Sequence, residues 1–166
     1  MPFPTKSSRI SLIGIFTAMS LAVQAMESIL PPPIPGFPVR IGLANLFVLY
    51  LLLRGNQTEA ICTAFLRCLL FPILSGNISA FFYSFAGTVF SSAAMIVVST
   101  FYRKEFVSAI GVSCSGSFAF QVGQILIGFL IVGKAVAFYF PWLCLLSIPA
   151  GICTGLICSF LIKRLS

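Results

Sequence analysis

The chain contains no histidine and no aspartate, and its three carboxylates, Glu27, Glu59 and Glu105, stand far apart. Acid–base catalysis draws mostly on those residue types, so an enzyme of that kind is poorly supplied. Charged residues make up 8% of the 166, against roughly 25% in a soluble domain. Such a chain cannot cover a globule with polar surface, and the bilayer is its expected solvent. The cysteines (Cys62, Cys68, Cys114, Cys144, Cys153 and Cys158) form no C-x-x-C pair. Mostly placed within apolar runs, they behave as small hydrophobes and imply neither a metal site, a thiol catalyst nor a disulfide framework. No cofactor is expected.

What is present is apolar: hydrophobic types make up 59% of the chain. They gather into runs at 10–30, 41–53, 59–74, 78–101, 106–132 and 136–162. A spanning helix needs about 20 such residues. The expectation is an all-α, polytopic membrane protein of six transmembrane helices in one domain, 1–166. The run 41–53 is short and reads as a tilted or broken helix packed against protein. Gly111, Gly116 and Gly123 interrupt the fifth run, and Pro141 and Pro149 should bend the sixth. The basic start and Val23-Gln24-Ala25 also fit a cleaved leader, although a retained first helix is the main reading. Gly128 to Lys134 spells G-x-x-x-x-G-K, but without a preceding strand it is no phosphate loop.

The net charge of +7 is spread singly and in pairs between apolar runs, which speaks for membrane topology rather than nucleic acid. With the N-terminus inside, Lys6, Arg9, Arg54, Arg103, Lys104, Lys163 and Arg164 face the cytoplasm. Arg40 and Lys134 face out, and Arg67 lies within a span. The expected location is therefore the plasma membrane, with both termini cytoplasmic.

Glu27 to Asn45 reads ESILPPPIPGFPVRIGLAN. Five prolines preclude a continuous helix there, so the segment should cross as a semi-rigid rim over a polar site. The polar residues of the spans sort to one level. Glu27 ends the first helix, and Arg40 and Asn45 begin the second. Arg67 lies about 12 Å up the third, and Gln121 and Gln124 about 22 and 27 Å up the fifth. A charge inside a span usually faces the bundle interior or a wet cavity. An ion pair with Glu27 would serve Arg67 equally well, and the glutamines could simply join helices by hydrogen bonds. Gly14, Ala18 and Ala22 form a strip of small residues that lets another helix approach closely, and Gly151 and Gly155 repeat the spacing.

ESILPPPIPGFPVRIGLAN, together with the Arg67 helix and GVSCSGSFAFQVGQ, resembles the Gx transporter family, also labelled heptaprenyl diphosphate synthase component I. The likeness covers nearly the whole chain. That family looks like the substrate-binding S components of energy-coupling factor vitamin transporters. Those are six-helix proteins that dock on a transmembrane T subunit with two ATPases through an A-x-x-x-A strip on the first helix. Ala18 and Ala22 match that strip. The family commonly carries His-Asn where this chain has Phe120-Gln121, and the Asp-rich motif of prenyl synthases is missing.

The resemblance implies a non-enzymatic capture subunit for a small vitamin-like or cofactor-precursor molecule. Arg40 and Arg67 would meet an anionic or strongly polar part of the ligand. Asn45, Gln121 and Gln124 would orient it, and Glu27 would pair with an arginine or a ligand donor. Gly14, Ala18 and Ala22 would dock the T-type subunit. Two alternatives stand beside this: a non-catalytic membrane partner of a prenyl diphosphate synthase, and a stand-alone secondary carrier.

Overall fold

In the computed structural model the chain is described over residues 6–29, 42–76, 78–102 and 104–164. Six α-helices follow one another: α1 (Lys6–Ile29), α2 (Asn45–Leu53), α3 (Gln57–Ser75), α4 (Ile78–Tyr102), α5 (Ala109–Val132) and α6 (Phe140–Arg164). A 3-10 turn, Lys134–Tyr139, joins the last two. No strand occurs among the described residues. The proline-rich crossing and Arg40 lie outside them, as does Arg103.

Among the described residues, five helices are long and apolar enough to cross a membrane. The exception is α2, whose nine residues extend about 14 Å, under half of the roughly 30 Å hydrocarbon core. Six helices were expected and six are present, but the second does not reach spanning length. It is the hub instead: α2 packs against all five other helices. Phe47, Val48, Leu49, Leu51 and Leu52 are all buried. A helix that is apolar all round belongs in a core, and that explains why this one can be so short.

The fifth span starts at Ala109 rather than near 106, because Ser108 caps it by accepting from the Gly111 N–H. Its glycines do not interrupt it. They are contact points: a Cβ on Gly116 would lie 2.5 Å from Met95 Cγ, and one on Gly123 2.6 Å from the Ala86 carbonyl oxygen. That brings α5 close against α4. The sixth span starts at Phe140, so Pro141 falls in its first turn, where a missing N–H costs nothing. Pro149 does lie inside the helix. Gly128 sits within α5 and Gly133, at φ +92°, follows its last residue. The G-x-x-x-x-G-K pattern is therefore a helix end and not a phosphate loop.

The burial pattern is inverted relative to a soluble protein. Isoleucines, phenylalanines and Trp142 project outward, while Ser20, Thr63, Arg67, Ser91, Gln121 and Gln124 are almost wholly buried. Lipid solvates the former at no cost, and the latter must find partners inside. Lys6, Arg9, Arg54, Lys104, Lys163 and Arg164 occupy helix ends or turns that alternating connections bring to one end of the bundle. At that end Arg9 pairs with Glu59 at 3.6 Å.

Candidate functional site

The inward face of α1 is polar throughout its buried length: its buried residues are Thr17, Ser20, Gln24 and Glu27. Opposite them, α3 buries Glu59, Thr63, Arg67 and Cys68. The third wall is α4, where Ser84, Thr88 and Ser91 fall at helical spacing and are each buried.

Arg67 is the centre of the arrangement, 2% exposed in mid-helix. Its Nη2 donates to Asn45 Oδ1 at 2.8 Å and to Thr88 Oγ1 at 3.1 Å. Asn45 in turn donates from Nδ2 to Ser91 Oγ at 3.1 Å. Cys68 Sγ lies 3.0 Å from Thr88 Oγ1. Gln24 Nε2 donates to Ser84 Oγ at 3.3 Å. The Glu27 carboxylate accepts the Gly42 N–H at 2.6 Å, which ties the end of α1 to the approach to α2.

These groups surround a cleft lined by Gln24, Glu27, Gly42, Ala44, Arg67, Ser84 and Phe120. Phe120 reaches it from α5. A Cβ on Gly87 would lie 2.7 Å from that ring, and one on Gly42 3.2 Å from it. The ring therefore fits because both flanking positions lack a side chain. The cleft leaves about 10 Å³ for the centre of a water-sized sphere, room for about one water and far short of the roughly 300–1,000 Å³ of pockets that bury a drug-sized ligand. Such a ligand would have to move its walls. No group of histidine, cysteine and carboxylate suited to a metal ion exists among the described residues.

Heptaprenyl diphosphate synthase component I matches residues 16–161. The chain belongs to that family. No curated protein matches, and no solved structure does. The apolar helices make this member a multi-pass membrane protein.

Of the residues singled out in this family member's sequence, Glu27, Asn45 and Arg67 come together. Glu27 and Arg67 share the cleft, and the hydrogen bonds of Arg67 given above run to neutral partners. Gln121 and Gln124 are fully buried on α5, but it is their neighbour Phe120 that lines the cleft. The α1 strip lies outside the bundle: Gly14, Ala18 and Ala22 are exposed, and nothing approaches within 4 Å of a Cβ built on Gly14. Gly151 and Gly155 are the opposite case, since their added Cβ atoms would meet the backbone of Cys114 at 2.7 Å and of Ile110 at 2.6 Å. They form the seam between α5 and α6.

Sequence reasoning missed Gln24, Ser84, Thr88, Ser91 and Gly42. The signal was there for the first four, because polar residues at 17, 20, 24 and 27, and again at 84, 88 and 91, repeat on one helical face. Gly42 contributes through its backbone N–H, which carries no side-chain signal.

Proposed function

We propose that this protein is a membrane-embedded, non-catalytic capture subunit for uptake of a small vitamin-like or cofactor-precursor molecule. Its basic end faces the cytoplasm and its cleft opens toward the outside. The observation that carries the reading is the setting of Arg67. A guanidinium held mid-span by Asn45 and Thr88 sits at the wall of a cleft, where it offers charge-assisted hydrogen bonds to an anionic group. Glu27 offers an acceptor for a ligand donor, and Phe120 an apolar wall. Arg40, Gln121 and Gln124 complete the proposed ligand set. The outward strip of Gly14, Ala18 and Ala22 suits close approach of a transmembrane partner helix, here a T-type subunit coupled to ATPases.

Native mass spectrometry of the detergent-solubilised protein tests this, followed by binding of the released molecule to the Arg67→Met variant. A co-purifying small polar molecule whose binding falls at least about tenfold on losing Arg67 is the expected result. A ligand bound equally well by that variant would remove Arg67 from the site.

The family description supports a second reading, a membrane partner of a prenyl diphosphate synthase. Co-purification with a soluble prenyl synthase, and none with an ATPase-linked membrane subunit, would favour it.

A further inference from the structure

Hydroxyl side chains in membrane helices commonly satisfy themselves by bonding a carbonyl three or four residues back. This protein does so repeatedly: Ser99 bonds Ile96, Thr100 bonds Val97, and Ser115 bonds Val112. Across the α5–α6 seam, Ser113 and Thr154 bond each other at 2.6 Å.

The seam between α1 and α3 differs. Thr17 Oγ1, Ser20 Oγ and Thr63 Oγ1 find no hydrogen-bond partner among the described residues, yet the three residues are 4%, 0% and 0% exposed. Gln24 Oε1 and Arg67 Nε, at the cleft, are in the same state. Another such hydroxyl, Ser92, lies elsewhere, beside Val48 and Leu52.

These atoms, Ser92 apart, belong to two helices packed against each other. Gln24 and Cys68 both reach Ser84, which sets residue 24 of α1 level with residue 68 of α3. Arg9 and Glu59 meet near the helix starts, so the two helices run parallel. Thr63 lies between Glu59 and Cys68 on α3, as Thr17 and Ser20 lie between Arg9 and Gln24 on α1. The unbonded oxygens therefore continue inward from the cleft toward the Arg9–Glu59 pair.

We propose that the α1–α3 seam is a hydrated passage: water enters through the cleft and extends past Gln24 to the hydroxyls of Ser20, Thr63 and Thr17. Water fits better than a cation, because the oxygens belong to neutral groups and Arg67 stands at the mouth. A dry hydroxyl in this position would bear its full desolvation cost, whereas a water with two to four polar partners is an ordinary structural element. The passage does not depend on what the cleft binds. It gives α1 a wet inner face and a lipid-facing outer one.

The test is hydroxyl-radical footprinting of the full chain in lipid nanodiscs, using X-ray pulses that generate radicals from water in place. Ser20→Cys, Thr17→Cys and Met19→Cys are compared. Native cysteines begin at Cys62, so oxidation of each added thiol is located on its own peptide by mass spectrometry. Met19 lies beside Ser20 at the same depth but is 46% exposed on the outer face, toward lipid. The expected result is oxidation of Ser20→Cys and Thr17→Cys at least about tenfold faster than of Met19→Cys, since radicals formed in water reach only wet side chains. Adding Thr63→Val to Ser20→Cys should slow its oxidation severalfold. If one thiol variant fails to fold, the other carries the comparison. Inner-face thiols as inert as Met19→Cys, or Met19→Cys as reactive as they are, would overturn the proposal.

Discussion

Asn45 accepts a 2.8 Å hydrogen bond from Arg67 at the first residue of the shortest helix. Its amide passes the connection on to Ser91 at 3.1 Å. One side chain thus links α2, the helix that touches all the others, to both α3 and α4.

That bridge should be costly to cut. Arg67→Met removes the donor to the buried Asn45 carbonyl oxygen and one of two donors to the Thr88 hydroxyl, and hydrogen bonds to charged groups are worth about 1.5–3 kcal/mol each. Arg67→Met and Asn45→Leu should both lower the melting temperature in detergent. Arg67→Lys should recover only part of the loss, because an ammonium lacks the planar fork. A wild-type melting curve for Asn45→Leu would show the bridge to be idle.

The glycines of the two strips should respond in opposite ways. Gly155→Ala forces a Cβ to within 2.6 Å of the Ile110 backbone, and overpacking of that kind costs about 1–3 kcal/mol. Gly14→Ala meets open space and should be neutral or stabilising by up to about 1 kcal/mol through helix propensity. Parallel thermal melts of the two variants decide the matter, and equal destabilisation would contradict the packing described.

Partner docking can be separated from ligand capture. Ala18→Leu combined with Ala22→Leu enlarges an exposed face of α1 that is distinct from the one bearing Gln24 and Glu27. Under the proposed function, expression, melting temperature and ligand binding persist, while co-purification with a T-type subunit and ATP-dependent uptake are lost. Joint loss of fold and binding would mean that the strip packs within the protein.

Topology is open to direct measurement. Basic residues gathered at one end predict that end to be cytoplasmic. In intact cells, an impermeant thiol reagent should label Lys134→Cys and leave Ser166→Cys untouched until the membrane is opened. External labelling of Ser166→Cys would invert the orientation.

Much of this architecture was legible in composition and periodicity. Scarce charge and long unbroken apolar runs pointed to membrane helices, because the other arrangement that satisfies backbone groups in lipid, a closed β-barrel, uses short strands of alternating polarity. Turn residues such as Gly76, left-handed at φ +65°, marked where α3 ends. The cost of a charge inside a span pointed to Arg67 as interior, and it is among the most deeply buried side chains.

Other features depended on which helices meet. Gly14 and Gly151 each begin a run of small residues at the same spacing, yet one faces open space and the other the Cys114 backbone. Spacing places residues on a face and says nothing of what lies opposite. Phe120 enters the cleft only because Gly42 and Gly87, remote in sequence, both lack a side chain beside its ring. The sequence by itself determined the solvent, the helices and the class of residue that had to be buried. Tertiary structure alone decided which polar groups share a cleft and which are left along the α1–α3 seam, because hydrogen bonds a few ångströms long depend on the relative depth and rotation of separate helices.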